Sequence, residues 1–178
     1  MQQSALERVK SLVRNIPDFP VKGIQFKDLT TVLKDPQALA TISDALAEMY
    51  RGRGITKVVG IESRGFIAGA ILASRIGAGF VPIRKPGKLP ADTIKKSYAK
   101  EYGVDTIEIH ADAIVPGDVV LLHDDLLATG GTMLAAYELV KAMQPAKVYM
   151  NFICSLPALK GRDLFPQEVE VTSLFDFD

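Results

Sequence analysis

The chain has 178 residues, of which 48% are hydrophobic and 24% charged, the proportions of one soluble domain with a sizeable core, which excludes disorder as its main state. Its 21 lysines and arginines balance 21 aspartates and glutamates, so no overall basic field draws nucleic acid or an anionic membrane, and any anion site must be built locally. One cysteine allows no internal disulfide and residues 1–20 carry no apolar h-region, a pattern that predicts a cytoplasmic protein, read here as a single domain over 1–178.

Ser4 followed by Glu7 forms a capping-box pattern, and Leu6, Val9, Leu12 and Val13 repeat at helical spacing. Pro17 and Pro20 bracket the exit, and Gly23 to Leu33 reads as an irregular strand or loop whose only aromatic residue is Phe26. At Asp35-Pro36 the acid can cap and the proline fits a first turn. A helix is predicted there, with Leu39, Ile42, Leu46 and Met49 as its stripe and Gly52 or Gly54 closing it. From Lys57 the pattern alternates. Lys57 to Ile61 is a short apolar run, Glu62-Ser63-Arg64-Gly65 a turn, and Phe66 to Ile76 a small-residue helix. Strands follow at Gly79 to Arg84, Val119 to Leu122 and Lys147 to Ile153, with a helix at Thr132 to Met143. Such alternation implies an α/β fold, a mostly parallel central sheet flanked by helices. Ligands bind beyond the carboxyl ends of such strands, which marks the loops starting at Glu62, Arg84, His123 and Cys154. Between Lys85 and His110 apolar periodicity is weak, and this stretch is predicted to be a mobile functional loop.

The chemistry concentrates between Val119 and Thr132. A buried strand ends in Asp124 and Asp125, and the small-residue loop Ala128-Thr129-Gly130-Gly131-Thr132 then opens a helix. Backbone N–H groups at a helix start are orphan donors, and the helix dipole favours an anion there. Gly130 and Gly131 let the backbone approach a phosphate, while Thr129 and Thr132 can donate hydroxyl protons. Each charge-assisted hydrogen bond contributes roughly 1.5–3 kcal/mol, so several hold a phosphomonoester without a lysine. Two acids beside an anion cradle would repel a phosphate alone, but carboxylates accept well from a vicinal diol. The arrangement fits a ribose 5-phosphate read at both ends. The plain alternative, a capping pair on a solvated loop, does not account for the cradle that follows directly.

This segment resembles the phosphoribosyl diphosphate (PRPP) motif of the type I phosphoribosyltransferases: apolar run, acidic pair, two residues, then a small-Thr-Gly-Gly-Thr loop. Among the adenine-using members of that family the likeness extends to Val58–Phe66, Ile83–Pro90, Glu101-Tyr102-Gly103, Ile107-Glu108-Ile109 and Pro20–Asp28. It covers nearly the whole chain; Gln167 to Asp178 matches weakly, and His123 stands where the family usually carries an apolar residue. The resemblance implies the type I fold, with a small hood formed by the N-terminal segment and the C-terminal part. It implies that the Glu62-Ser63-Arg64 turn binds pyrophosphate, through a non-proline cis peptide near Glu62-Ser63, where the plain reading of Arg64 is a surface salt bridge. Lys85 and Lys88 are ordinarily solvated loop lysines; beside this site they and Arg84 can screen the leaving pyrophosphate. The resemblance further makes Glu101 the proton-handling residue, in a loop that closes over the base, with Arg64 and Lys85 as its catalytic companions. It places the purine between Phe26 and Leu156, with backbone groups from Val21 to Lys27 reading its edge. Mg²⁺ is expected to arrive on PRPP rather than on protein ligands, and a homodimer is expected.

The implied reaction joins adenine to PRPP, giving AMP and pyrophosphate. The exit Ile153-Cys154-Ser155-Leu156-Pro157 carries no cation, which suits a 6-amino purine better than a 6-oxo one. Two alternatives stay open at this stage: another purine such as xanthine, or a PRPP-sensing regulator without the reaction, which would need a nucleic-acid surface that this balanced chain does not advertise. His110 and His123 lack metal-ligand spacing, Cys154 reads as inert packing, and neither a dinucleotide fingerprint nor a P-loop occurs.

Overall fold

The structure, a computed structural model, describes residues 2–19, 22–99 and 103–177. Helix α1 (Gln2–Leu12) is followed by an antiparallel hairpin of β1 (Arg14–Pro17) and β2 (Gln25–Asp28), with Arg14 opposite Asp28. The stretch from Gly23 to Leu33 therefore holds a strand and the one-turn helix α2 (Thr30–Leu33). Four-residue strands are too short to show a period, so the hairpin leaves no signal in the sequence. Asp28 locks it: its carboxylate accepts from the Thr30 hydroxyl at 2.7 Å and from Arg14 at 2.5 Å, and these donors hold its pKa down at about 2. Helix α3 (Pro36–Tyr50) starts as Asp35-Pro36 predicts, with the Asp35 carboxylate accepting from the Ala38 amide at 2.8 Å.

The central sheet contains β3 (Lys57–Ile61), β4 (Gly79–Ile83), β7 (Val119–Leu127), β8 (Lys147–Ser155) and β9 (Val171–Asp176). All its pairings are parallel, in the order β4-β3-β7-β8-β9. Helix α4 (Gly65–Ile76) joins β3 to β4, and α5 (Gly131–Ala142) joins β7 to β8. Side chains alternate across the sheet. Val59, Ile61, Val120 and Leu122 enter the core under α5, whereas Val58 and Leu121 enter the core under α1, α3 and α4. The strand order turns back between β3 and β7, so their connections leave in opposite directions and open a crevice at the carboxyl ends.

Two expectations change. The stretch from Lys85 to His110 is not a loop throughout: β5 (Thr93–Ala99) and β6 (Val104–His110) form an antiparallel hairpin. On its inward face Ile94, Lys96 and Tyr98 stand opposite Ile109, Ile107 and Asp105. Lys96 takes an inward position because Glu138 of α5 meets it at 2.7 Å, and one cation in the row hid the alternation. Strand β7 also runs five residues past Leu122, so the acidic pair lies inside the strand rather than after it. The chain ends meet as the expected hood requires. The Phe177 ring lies 4.8 Å from Lys27 Nζ and 5.4 Å from Lys10 Nζ, while β9, just before it, forms the sheet's edge. No described helix is long and apolar enough to cross a membrane.

Candidate active site

Because neighbours on a strand face opposite ways, the acidic pair is divided between the two faces of β7. Asp125, 3% exposed, turns toward the start of α4, where its Oδ2 lies 2.5 Å from Arg64 Nε in an ion pair without hydrogen-bond geometry. Asp124 turns toward α5 and accepts from the Asp125 amide at 2.9 Å. Burial, and next the charge of Asp125, push the Asp124 carboxyl well above the ordinary carboxylate range. Gly65 permits this approach, since a Cβ there would stand 2.9 Å from the His123 carbonyl and 3.0 Å from Asp124 Oδ1. Beyond Leu127, Gly130 adopts φ +83 and caps α5 by backbone alone; no side chain caps that helix. Residues Ala128 to Thr132 line a hollow of about 100 Å³ that also touches Asp124.

An adjoining cavity of about 260 Å³ shares Asp124 and Thr132 with that hollow and reaches Glu62, Lys85, Tyr98 and Asp105. The Glu62–Ser63 peptide is cis, as the resemblance implies, and Ser63 is exposed at the turn. Glu62 gathers the basic loop after β4: its carboxylate takes Arg84 Nε at 3.3 Å, the Lys85 amide at 2.9 Å and the Lys88 ammonium. Burial works against its ionisation, yet Lys88 and the Lys85 amide hold its pKa below the ordinary value. Lys85 Nζ itself lies 3.7 Å from Asp105 Oδ2. Each of the four cations expected on the pyrophosphate side thus has a carboxylate partner: Arg64 on Asp125, Arg84 and Lys88 on Glu62, Lys85 on Asp105. Glu108, 2% exposed, steadies the same loop by accepting from the Gly87 amide at 3.2 Å, while Lys95 at 2.8 Å keeps its carboxyl low.

Of the residues expected around a base, Phe26 packs edge-on to Phe19, with centroids 5.1 Å apart, and lies 5.4 Å from the Arg64 guanidinium carbon. That contact joins the N-terminal hairpin to the acidic pair. The Lys27 side chain points to Phe177, so any contact it makes with a base is through its backbone. Leu156, half-buried just after β8, lines a separate hollow of about 330 Å³ beside residues 157–163. Glu101 and Tyr102, and Pro20 and Val21, lie outside the described residues. Cys154 is buried, and burial pushes its thiol up to about 12, in keeping with inert packing.

Sequence reasoning missed Tyr98, Asp105 and Gly161. The first two face the cavity only because the hairpin pairs them. Gly161 backs the loop from Ala128 to Thr132 so closely that a Cβ on Gly130 would stand 2.5 Å from its carbonyl oxygen. A glycine thirty residues away carries no local sign of that role. His123 heads a buried polar chain: its Nδ1 lies 2.9 Å from Asn151 Oδ1, Asn151 donates to Thr172 at 2.9 Å, and Thr172 meets the Tyr50 hydroxyl at 2.6 Å. Full burial lowers its pKa to about 4.

A family model described as phosphoribosyl transferase domain matches residues 28–175. The adenine phosphoribosyltransferase of Bacteroides thetaiotaomicron is 63% identical over 162 residues, covering 91% of this chain and 92% of that protein. A solved adenine phosphoribosyltransferase from Rhodothermus marinus matches at a TM-score of 0.92 with 51% identity, over 98% of this chain and 99% of that one. The Trypanosoma brucei enzyme, solved with AMP, pyrophosphate and ribose 5-phosphate, matches at 0.88 with 28% identity, over 97% of this chain and 79% of that one. Sequence, fold and the arrangement around β7 agree, and the chain belongs to the phosphoribosyl transferase family, in its adenine phosphoribosyltransferase branch.

Proposed function

We propose that the protein transfers the 5-phosphoribosyl group of PRPP to adenine, releasing AMP and pyrophosphate, a reading supported by relatives named adenine phosphoribosyltransferase. The carrying observation is the pair of adjoining hollows that share Asp124 and Thr132, one lined by the donors a phosphate needs, the other flanked by the basic loop. In this reading the 5′-phosphate lies on the amides and hydroxyls of Ala128, Thr129, Gly130, Gly131 and Thr132. Asp124 faces the ribose and can accept from its diol, whereas Asp125, on the other face of β7, aims Arg64. Glu62, Ser63, Arg64, Arg84, Lys85 and Lys88 surround the pyrophosphate. Phe26 and Leu156 flank the purine, and backbone groups near Lys27 read its edge.

N9 of adenine attacks C1′ as the C1′–oxygen bond to pyrophosphate breaks, the electron pair leaving with pyrophosphate and the N9 proton passing to Glu101. The transition state carries positive charge on the sugar, so holding the ribose, screening the departing anion and excluding water are the three tasks. Mg²⁺ fits this site as an ion carried by PRPP, where it would neutralise charge growing on the leaving group. Among the described residues no lysine or arginine forms an ion pair with Asp124, so its side chain faces the ligand, whose own phosphates and hydroxyls would hold the ion. We place the protein in the cytoplasm, as a single-domain chain that works as a homodimer. AMP formation from adenine with PRPP and Mg²⁺, against matching assays with hypoxanthine, guanine and xanthine, tests the reading. AMP is expected from adenine at a rate at least about a hundredfold above the 6-oxopurines, and equal rates would overturn the choice of base.

A further inference from the structure

We propose that Tyr98 is a positioning residue that couples the two anion-binding ends of the site, a role that rests on the phosphoribosyl reading above. Its hydroxyl lies 2.9 Å from Thr132 Oγ1, in the first turn of α5, and 3.5 Å from Asp105 Oδ2, directly across the hairpin. Asp105 in turn holds Lys85 at 3.7 Å. A chain of polar contacts thus runs from the phosphate cradle through Tyr98 to a lysine on the pyrophosphate side, and all four residues line one cavity.

The seat of the ring does not depend on its hydroxyl. Tyr98 packs against the core under α5, and its Cδ2 stands 3.8 Å from where a Cβ on Gly131 would be. The ion pair of Lys96 with Glu138 pins the same strand to the same helix at 2.7 Å. The hydroxyl can therefore change partners while the ring stays. Thr132 has one hydroxyl proton. Given to Tyr98, that proton is withheld from a phosphate. Given to a phosphate, it leaves Tyr98 to donate, back to Thr132 or onward to Asp105. Donation back to Thr132 withdraws the proton that Tyr98 otherwise gives Asp105 Oδ2, the oxygen that Lys85 also faces, and so changes the pull of Asp105 on the ammonium. Occupancy of the cradle reverses one hydrogen bond and alters the counter-ion of a cation at the opposite end.

Hydrogen–deuterium exchange of the full chain, with and without ribose 5-phosphate, tests this in the wild type and in Tyr98→Phe, which keeps the ring. In both proteins the ligand is expected to slow amides in the first turn of α5. In the wild type alone it is expected to slow hairpin amides in 93–99 and 104–110, by about fivefold or more. Tyr98→Phe is also expected to raise KM for PRPP by about fivefold with KM for adenine unchanged, a split that lost stability alone does not produce. Equal protection of the hairpin in both proteins overturns the coupling and leaves the cradle in place. No protection of α5 in either protein puts the phosphate elsewhere, and the functional reading falls together with the coupling.

Discussion

Asp125 and Arg64 meet at 2.5 Å with the acid 3% exposed, so removing its charge leaves the guanidinium without its counter-ion at the edge of the proposed sugar site. With the arginine a third exposed the cost falls below that of a fully buried pair, and on the proposed function part of it shows as lost ligand affinity. Asp125→Asn is expected to raise KM for PRPP about tenfold or more in steady-state assays; an unchanged KM would show that the acid positions nothing. His123 supplies a pH dependence. Its pKa falls from the ordinary 6.5 to about 4 on burial, so the unfolded chain takes up a proton that the folded one refuses. The folded state therefore loses stability as pH drops from 6.5 toward 4, by about 2 kcal/mol between pH 7.5 and 5. In His123→Leu the melting temperature is expected to depend less steeply on pH over that interval. That Asp124 and the glycine–threonine loop lie together was legible in the sequence because they are neighbours in the chain. Tyr98 and Asp105 were not, because their meaning arises only when two strands lay them side by side.

The loop from Ala128 to Thr132, the proposed phosphate cradle, is supported from below by another element. Gly161, at the start of a short 3₁₀ turn, leaves no room for a side chain between itself and the Ala128 carbonyl. Gly161→Ala forces backbone to move on both sides, and overpacking of this kind costs about 1–3 kcal/mol. It is expected to raise KM for PRPP while leaving KM for adenine alone, and to lower the melting temperature by a few degrees; a drop in melting temperature with both KM values unchanged would show that the loop does not rely on its support. Elements whose apolar pattern is uninterrupted, such as β3, α4 and β4, were readable to within a residue or two at their ends. The β5–β6 hairpin was concealed by Lys96, an inward cation whose partner lies forty-two positions along the chain.

At the scale of the whole molecule, the class of fold follows from short apolar runs alternating with helices. The strand order does not. Nothing local in β3 or β7 says that they are neighbours, yet their adjacency brings the Glu62 turn against the acidic pair. A ligand that bridges these parts binds the folded chain alone, so PRPP with Mg²⁺ at a hundred times its dissociation constant is expected to add about 2.7 kcal/mol. For a chain of this size that corresponds to a rise of roughly 5–10 °C in melting temperature. Differential scanning fluorimetry checks it, and no rise with PRPP at saturating Mg²⁺ would count against a site at this crevice.

The four basic side chains around the crevice are already spoken for by acids of the same protein. Entry of an anion is therefore an exchange of dance partners, in which each cation the guest wins over sets free a carboxylate that must find company of its own. A bare phosphate or sulfate offers those displaced acids nothing. A guest that arrives with hydroxyls and its own divalent ion offers them both, and admission is decided by what the visitor can do for the hosts it displaces.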